Sequence, residues 1–193
     1  MLPYREWLTA AHFEGFSSVG GSFQSDNVSD YYLTPFDLEY DRLIHWDHEF
    51  LGREALLQMR EKPRRKKVIL VWDGDDVVEV YRTLFQAGQM GMWMDIPSAD
   101  YAIHPYDRVE HEGQLVGISG YPLYSANERA YLSVSIVDAR FAEAGTRLSL
   151  IWGEAGGGTA KPSVHRHKQM KISCEAQPWP IHEAARSSYR SQT

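Results

Sequence analysis

Asp47–Leu57 reads DHEFLGREALL, and its reading decides the fold on either side. Gly52 can serve as a helix N-cap, with Leu51 before it and Leu56 four residues after, the spacing of a hydrophobic staple. Glu54 falls in the first turn, where the helix dipole favours an anion. Arg60 and Lys62 fall in or just past the last turn, where it favours cations, and Pro63 stops the run. The stretch therefore predicts a helix over Arg53–Glu61, with Leu56, Leu57 and Met59 turned inward. It separates a helical, loop-rich front part from a strand-rich back part.

Upstream, Tyr4, Trp7, Leu8 and Ala11 share one helical face over Leu2–Phe13. Glu14–Asp30 is a loop rich in Gly, Ser and Asx residues. Thr34 before Pro35 has the form of an N-cap followed by Pro at the first helical position, and Leu43–Trp46 reads as a short strand. The basic run Lys62–Lys67 (KPRRKK) reads as a solvated linker and marks the best boundary.

Downstream the period changes to two. Lys67–Trp72 is a near-continuous apolar strand, and Asp75–Phe85 an amphipathic helix with an acidic first turn. Arg108–His111, Gln114–Tyr121, Tyr131–Val137, Arg147–Trp152 and Lys168–Ala176 complete six strands, with a hairpin turn at Glu112–Gly113. Short strands at this spacing predict a small antiparallel barrel or jelly roll. The tail Ile181–Thr193 is polar and expected to fray. The fold class is thus α+β, with the barrel over residues 66–180 and the tail over 181–193.

The 193 residues carry a net charge of −6, which argues against a nucleic-acid surface. No apolar run reaches the ~18–20 residues of a membrane span, and the N-terminus lacks the order of a signal peptide. The single Cys174 excludes an intrachain disulfide and suits a reducing, cytoplasmic setting. It lies on the apolar parity of its strand, which marks it as a buried thiol.

Gly153–Pro162 (GEAGGGTAKP) lacks the Gly-Lys-Ser/Thr of a phosphate loop and reads as a flexible inter-strand turn. His45, His48, His165 and His167 have no recognisable metal spacing, so no metal is expected. By motif alone the chain has no catalytic centre.

DHEFLGREAL resembles the D-F-I-G-R-E-A-L signature of the glycine-cleavage T-protein (aminomethyltransferase) superfamily. Thr34–Pro35 precedes it in the family's order, and FEGFSSVGG (Phe13–Gly21) resembles the family's L-E-A-G-L-x-L-Y-G stretch with Glu14 and Gly21 in register. RKKVILVWDGDD resembles the start of the family's C-terminal barrel, and YSANERAYLSVSIVD (Tyr124–Asp138) stands at its S-P-T-L strand. Residues 20–40, Asp73–Ala99 and 151–169 are similar to tetrahydrofolate-dependent aryl O-demethylases acting on vanillate- and syringate-type methoxyaromatics.

The resemblance implies methyl transfer from an aromatic methoxy group to N5 of tetrahydrofolate. It also leaves open an aminomethyltransferase, or a barrel module that packs on a partner and has no chemistry of its own. It implies that residues 1–61 are the C-terminal remnant of a folate-binding domain, and it allows a separately encoded N-terminal part as a partner. The remaining expected partners are folate and a small methoxyaromatic or aminomethyl donor, with no nucleic acid or membrane. The candidate folate or substrate contacts it implies are His12, Glu14, Tyr31 and Tyr32, with His12 standing where the family has Arg. No catalytic residue is assigned.

Overall fold

The computed structural model describes residues 18–61, 65–99, 102–158 and 164–187. The predicted helix over Leu2–Phe13 lies outside these residues. Among them the chain forms seven strands: β1 (Val19–Gly20), β2 (Arg65–Trp72), β3 (His104–His111), β4 (Gln114–Ser125), β5 (Ala130–Asp138), β6 (Arg147–Trp152) and β7 (Met170–Pro178). Three helices accompany them: α1 (Arg53–Arg60), α2 (Gly74–Leu84) and the short α3 (Glu183–Ser187).

Strands β2 to β7 close into a six-stranded antiparallel barrel in the order β3-β4-β5-β2-β7-β6, with β6 returning to β3. The period-two stretches place four of the six strands within two residues of the observed bounds, and β4 runs four residues past Tyr121. β3 starts four residues earlier than Arg108, because Pro105 and Asp107 continue the inward parity of Val109. The β3–β4 turn is Glu112–Gly113, both in the left-handed region at φ 51° and 80°, which matches the strand twist of a two-residue hairpin.

The barrel interior is built around aromatic side chains. Trp72 and Trp152 meet edge to face at 5.7 Å among Val68, Leu70, Leu150 and Ile172, all buried. Ser119, Ser133 and Ser135 on β4 and β5 are buried, and the Ser119 hydroxyl meets that of Ser133 at 2.7 Å. Ser133 Oγ also accepts the Trp72 Nε1–H at 2.9 Å, so the buried donor is satisfied. The Met-rich segment after α2 caps the core: Met92 and Met94 are buried, and Met92 O accepts the Trp152 Nε1–H at 3.0 Å. α2 begins as its sequence predicts, with Asp73 accepting from the N–H groups of Asp75 and Asp76.

The front part differs from its sequence reading in four places. Thr34–Pro35 opens a single turn rather than a helix, since Glu39 enters the left-handed region at φ 60° and ends it. Leu43–Trp46 forms no strand: Asp41–Leu43 is a 3-10 turn, and the extended residues after it meet no ladder partner among the described residues. α1 forms with Gly52 at its N-cap, but Leu51 is fully exposed, so no staple to Leu56 exists. Leu56 and Leu57 are half-buried, and Met59 points to solvent.

The basic run departs from its reading as a linker. Arg65–Lys67 already belong to β2, paired with Ile136–Asp138 of β5. The residues before α1 pack on the barrel's outer wall, where Phe23, Ile118 and Ile136 form a second apolar cluster with Tyr31, Leu33, Leu38 and Tyr106. Part of the tail is ordered as α3. Among the described residues no helix is long and apolar enough to cross a membrane.

Candidate functional site

Two polar constellations stand out among the described residues, one inside the barrel wall and one on its surface. The first is built where β1 meets β3. β1 runs parallel to β3 at His104 and Pro105, and β6 pairs with β3 from Arg108 onward. Ser22 occupies the junction. Its Oγ donates to Ile151 O at 2.5 Å and accepts the Arg108 N–H at 2.8 Å, while its own N–H donates to Asp107 Oδ1 at 3.0 Å.

Asp107 is 1% exposed, and burial pushes its carboxyl up to about 7. The Ser22 backbone N–H and hydroxyl oppose that rise, and nearby Glu154, also buried, adds to it. The single Ser22 hydroxyl proton has its shorter contact with Ile151, so it does little for the carboxylate. The arrangement can hold a proton near neutral pH, yet it is sealed from solvent.

Glu154 leads into the Gly-rich segment read from sequence as a flexible turn. In its described part, Gly153–Gly158, the segment is instead folded around a histidine. His167, fully buried, accepts the Glu154 N–H on Nε2 at 2.8 Å, and its Nδ1 lies 2.8 Å from His165 O. A ring accepting on Nε2 carries its proton on Nδ1, which fixes the tautomer. Gly157 lacks a Cβ for a physical reason: one would sit 2.8 Å from His167 O. His165 in turn stacks on Trp93 at 4.7 Å. No group of three or more His, Cys, Asp or Glu among the described residues could hold a metal ion.

The second constellation is a surface groove of about 740 Å³ beside the start of β2. Tyr40, Arg42, Lys67 and Trp179 line it. They come from the turn after Pro35, from β2 and from the segment after β7, so the fold alone brings them together.

Of the four residues expected to contact folate or substrate, His12 and Glu14 lie outside the described residues. Tyr31 is half-buried, packs edge to face on Phe23 at 5.1 Å and accepts the Ser25 N–H on its hydroxyl at 2.9 Å. Tyr32 is exposed, and its carbonyl accepts from Arg65 at 3.3 Å. The two side chains therefore serve different surroundings. Cys174 is buried, as its strand parity predicts, and burial pushes its thiol well above the ordinary range.

Sequence reasoning missed Asp107, Glu154 and the groove. The inward parity of β3, had it been extended past Arg108, would have flagged Asp107. The groove has no local signal.

Comparison with known proteins follows the same lines. No protein-family model matches the chain. Over 186 residues, 96% of its length, the chain is 37% identical to the syringate O-demethylase of Sphingobium sp. (strain SYK-6) and covers 40% of that protein. Over 136 residues it is 26% identical to the sesamin methylene transferase of Sinomonas sp. (strain No.22), covering 30% of it. The chain thus spans two fifths or less of these relatives, and along nearly all of its own length it is similar to part of an aryl O-demethylase.

Proposed function

We propose that this chain is the barrel-bearing part of a tetrahydrofolate-dependent aryl O-demethylase, which passes the methyl of an aromatic methoxy group to N5 of tetrahydrofolate. The observation that carries the reading is the 37% identity to the syringate O-demethylase over 96% of the chain. Tetrahydrofolate, when bound, supplies the nucleophilic nitrogen. Asp107 and Glu154, the carboxylates of the interior constellation, are both buried, so that constellation does not fit a pterin ring and no step through it is derived.

An aryl methyl ether reacts only when its oxygen is protonated or hydrogen-bonded as the bond breaks and the methyl is aligned with its acceptor. The Tyr31 hydroxyl accepts the Ser25 N–H, which leaves its own O–H able to donate, whereas His167 is sealed. The same covered state of the chemistry-bearing side chains favours a second reading, in which the barrel packs on a catalytic partner and adds no chemistry itself.

A chimera tests the first reading. This chain would replace the matched two fifths of the Sphingobium protein, and loss of methyl from syringate would be followed by mass spectrometry with and without tetrahydrofolate. Methyl transfer that requires tetrahydrofolate is the expected result. A folded chimera inactive on every aryl methyl ether tried, beside an active parent, overturns it.

A further inference from the structure

On a chain of net charge −6, the groove beside β2 runs against the overall sign. Arg42, Arg65, Lys66, Lys67 and Arg186 line it, against the acids Glu39 and Asp41. Two of those cations are committed to the fold. Arg65 holds Asp37, and Arg186 donates to the carbonyls of Pro180 and Ile181.

Lys67 is different. One of its three N–H donors goes to Leu38 O at 3.1 Å. The ammonium then stands 5.0 Å from the Trp179 ring centre and 5.6 Å from that of Tyr40. Both contacts are of the cation–π kind, which hold a cation in place without neutralising it. The two rings remain 41% and 50% exposed, so each keeps open surface for another flat group. Arg42 adds a planar guanidinium, whose fork matches a carboxylate.

A fixed positive charge between two open aromatic faces selects for a specific chemistry. An inorganic anion would use the charge and waste the rings. A neutral aromatic would use the rings and leave the charge unanswered. We propose that this groove binds the carboxylate of an aromatic acid, with Lys67 and Arg42 as counter-ions and Trp179 and Tyr40 as the faces for its ring.

Two sources offer that chemistry here: a methoxybenzoate, or the aminobenzoyl-glutamate end of a folate. The choice of these two acids rests on the function proposed above, whereas the chemistry of the groove does not.

The test is a titration of the full chain followed through the indole Nε1–H signal of Trp179 by NMR, assigned with Trp179→Phe. The probes are 3-methoxybenzoate, its methyl ester, 4-aminobenzoyl-glutamate and inorganic phosphate. At least one acid is expected to shift the signal saturably, and the ester and phosphate are not. Arg42→Gln, at an exposed position, and Lys67→Gln are each expected to weaken acid binding by about tenfold. Thermal melts of both variants report that the fold is kept.

A shift with methoxybenzoate alone assigns the groove to the methyl donor, and one with aminobenzoyl-glutamate alone to the folate. Silence of Trp179 with both acids at millimolar concentration overturns the proposal. So does phosphate or ester binding as tight as the acid's, or binding untouched by Arg42→Gln. An active chimera with a silent groove sinks only this proposal, and an inactive chimera with a working groove sinks only the function above.

Discussion

Arg65 grips Asp37 with two nitrogens, Nε on Oδ1 at 3.1 Å and Nη2 on Oδ2 at 2.6 Å. The same Asp37 Oδ2 accepts from the N–H and the hydroxyl of Thr34 at 2.8 and 2.9 Å. One buried carboxylate thus ties the turn after Pro35 to the first residue of the barrel. Arg65 is about a third exposed, so on losing its partner it recovers water, and the cost falls on the Thr34 donors and the lost fork. Asp37→Ala should cost about 2–3 kcal/mol in urea unfolding, and Arg65→Lys, which keeps charge but not the fork, about 1 kcal/mol. Unchanged stability in Asp37→Ala would mean that the turn is held by its apolar contacts alone.

Asp107 gives the protein a pH dependence of unusual sign for a carboxylate. Its folded value of about 7 stands above the ordinary 3.8. Between those values the folded chain keeps a proton that the unfolded chain has released, so this group's contribution to stability falls as pH rises and levels off above about 7. Asp107→Asn keeps an oxygen to accept from Ser22 and removes the titration. Between pH 5 and pH 8, wild type should lose roughly 2–3 kcal/mol more than the variant in denaturant unfolding. Equal losses in the two proteins would refute the assignment.

Gly21 and Gly52 share a positive φ, 90° and 91°, but not an environment. A Cβ on Gly21 would lie 1.9 Å from Tyr106 O, a backbone atom that cannot swing away, whereas one on Gly52 would meet nothing within 4 Å. Gly52→Ala should therefore cost only the left-handed backbone term of about 1–2 kcal/mol. Gly21→Ala should cost more than that and free β1 from β3. Hydrogen exchange at Phe23, whose N–H donates to Tyr106 O at 3.0 Å, reads that release directly. Protection of Phe23 unchanged in Gly21→Ala would contradict the clash.

Cys174 should be silent toward a thiol reagent in the native state and react once unfolded. Its side chain is buried in the barrel, and burial disfavours the thiolate that would attack. Rapid labelling of the folded chain would show that the barrel opens readily around β7.

The barrel was legible from sequence because its signal is local. Alternation in Arg147–Trp152 or around Met170, Ile172 and Cys174 states which side chains face inward without reference to any other strand. The front part was not legible by the same means. Leu43–Trp46 has strand-like composition, but a strand also needs a partner, and none runs beside it among the described residues. Leu51 and Leu56 have the spacing of a staple, yet the left-handed Gly52 between them leaves Leu51 wholly in solvent. The KPRRKK run looked solvated because the partners of Arg65 and Lys67, Asp37 and Leu38, lie 28 and 29 residues away. The groove fails the local test altogether, since β2–β7 pairing brings Trp179 to Lys67, and the packing of Leu38 on Lys67 brings Tyr40.

The Ser22 junction bears on the order in which the molecule assembles. The hairpins β3–β4, β4–β5 and β6–β7 pair strands adjacent in the chain and can form early. The β3–β6 seam has only three residue pairs, and its splice runs from Ser22 to Ile151, 129 residues apart. Contacts of such separation repay their loop-closure entropy only after both partners are in place. The Ser22–Ile151 splice and the β2–β7 ladder, which joins Val68 to Pro178, are thus the natural late steps of folding. A slow final phase should report on Ser22, and a nascent chain would reach its native shape only once β7 had emerged.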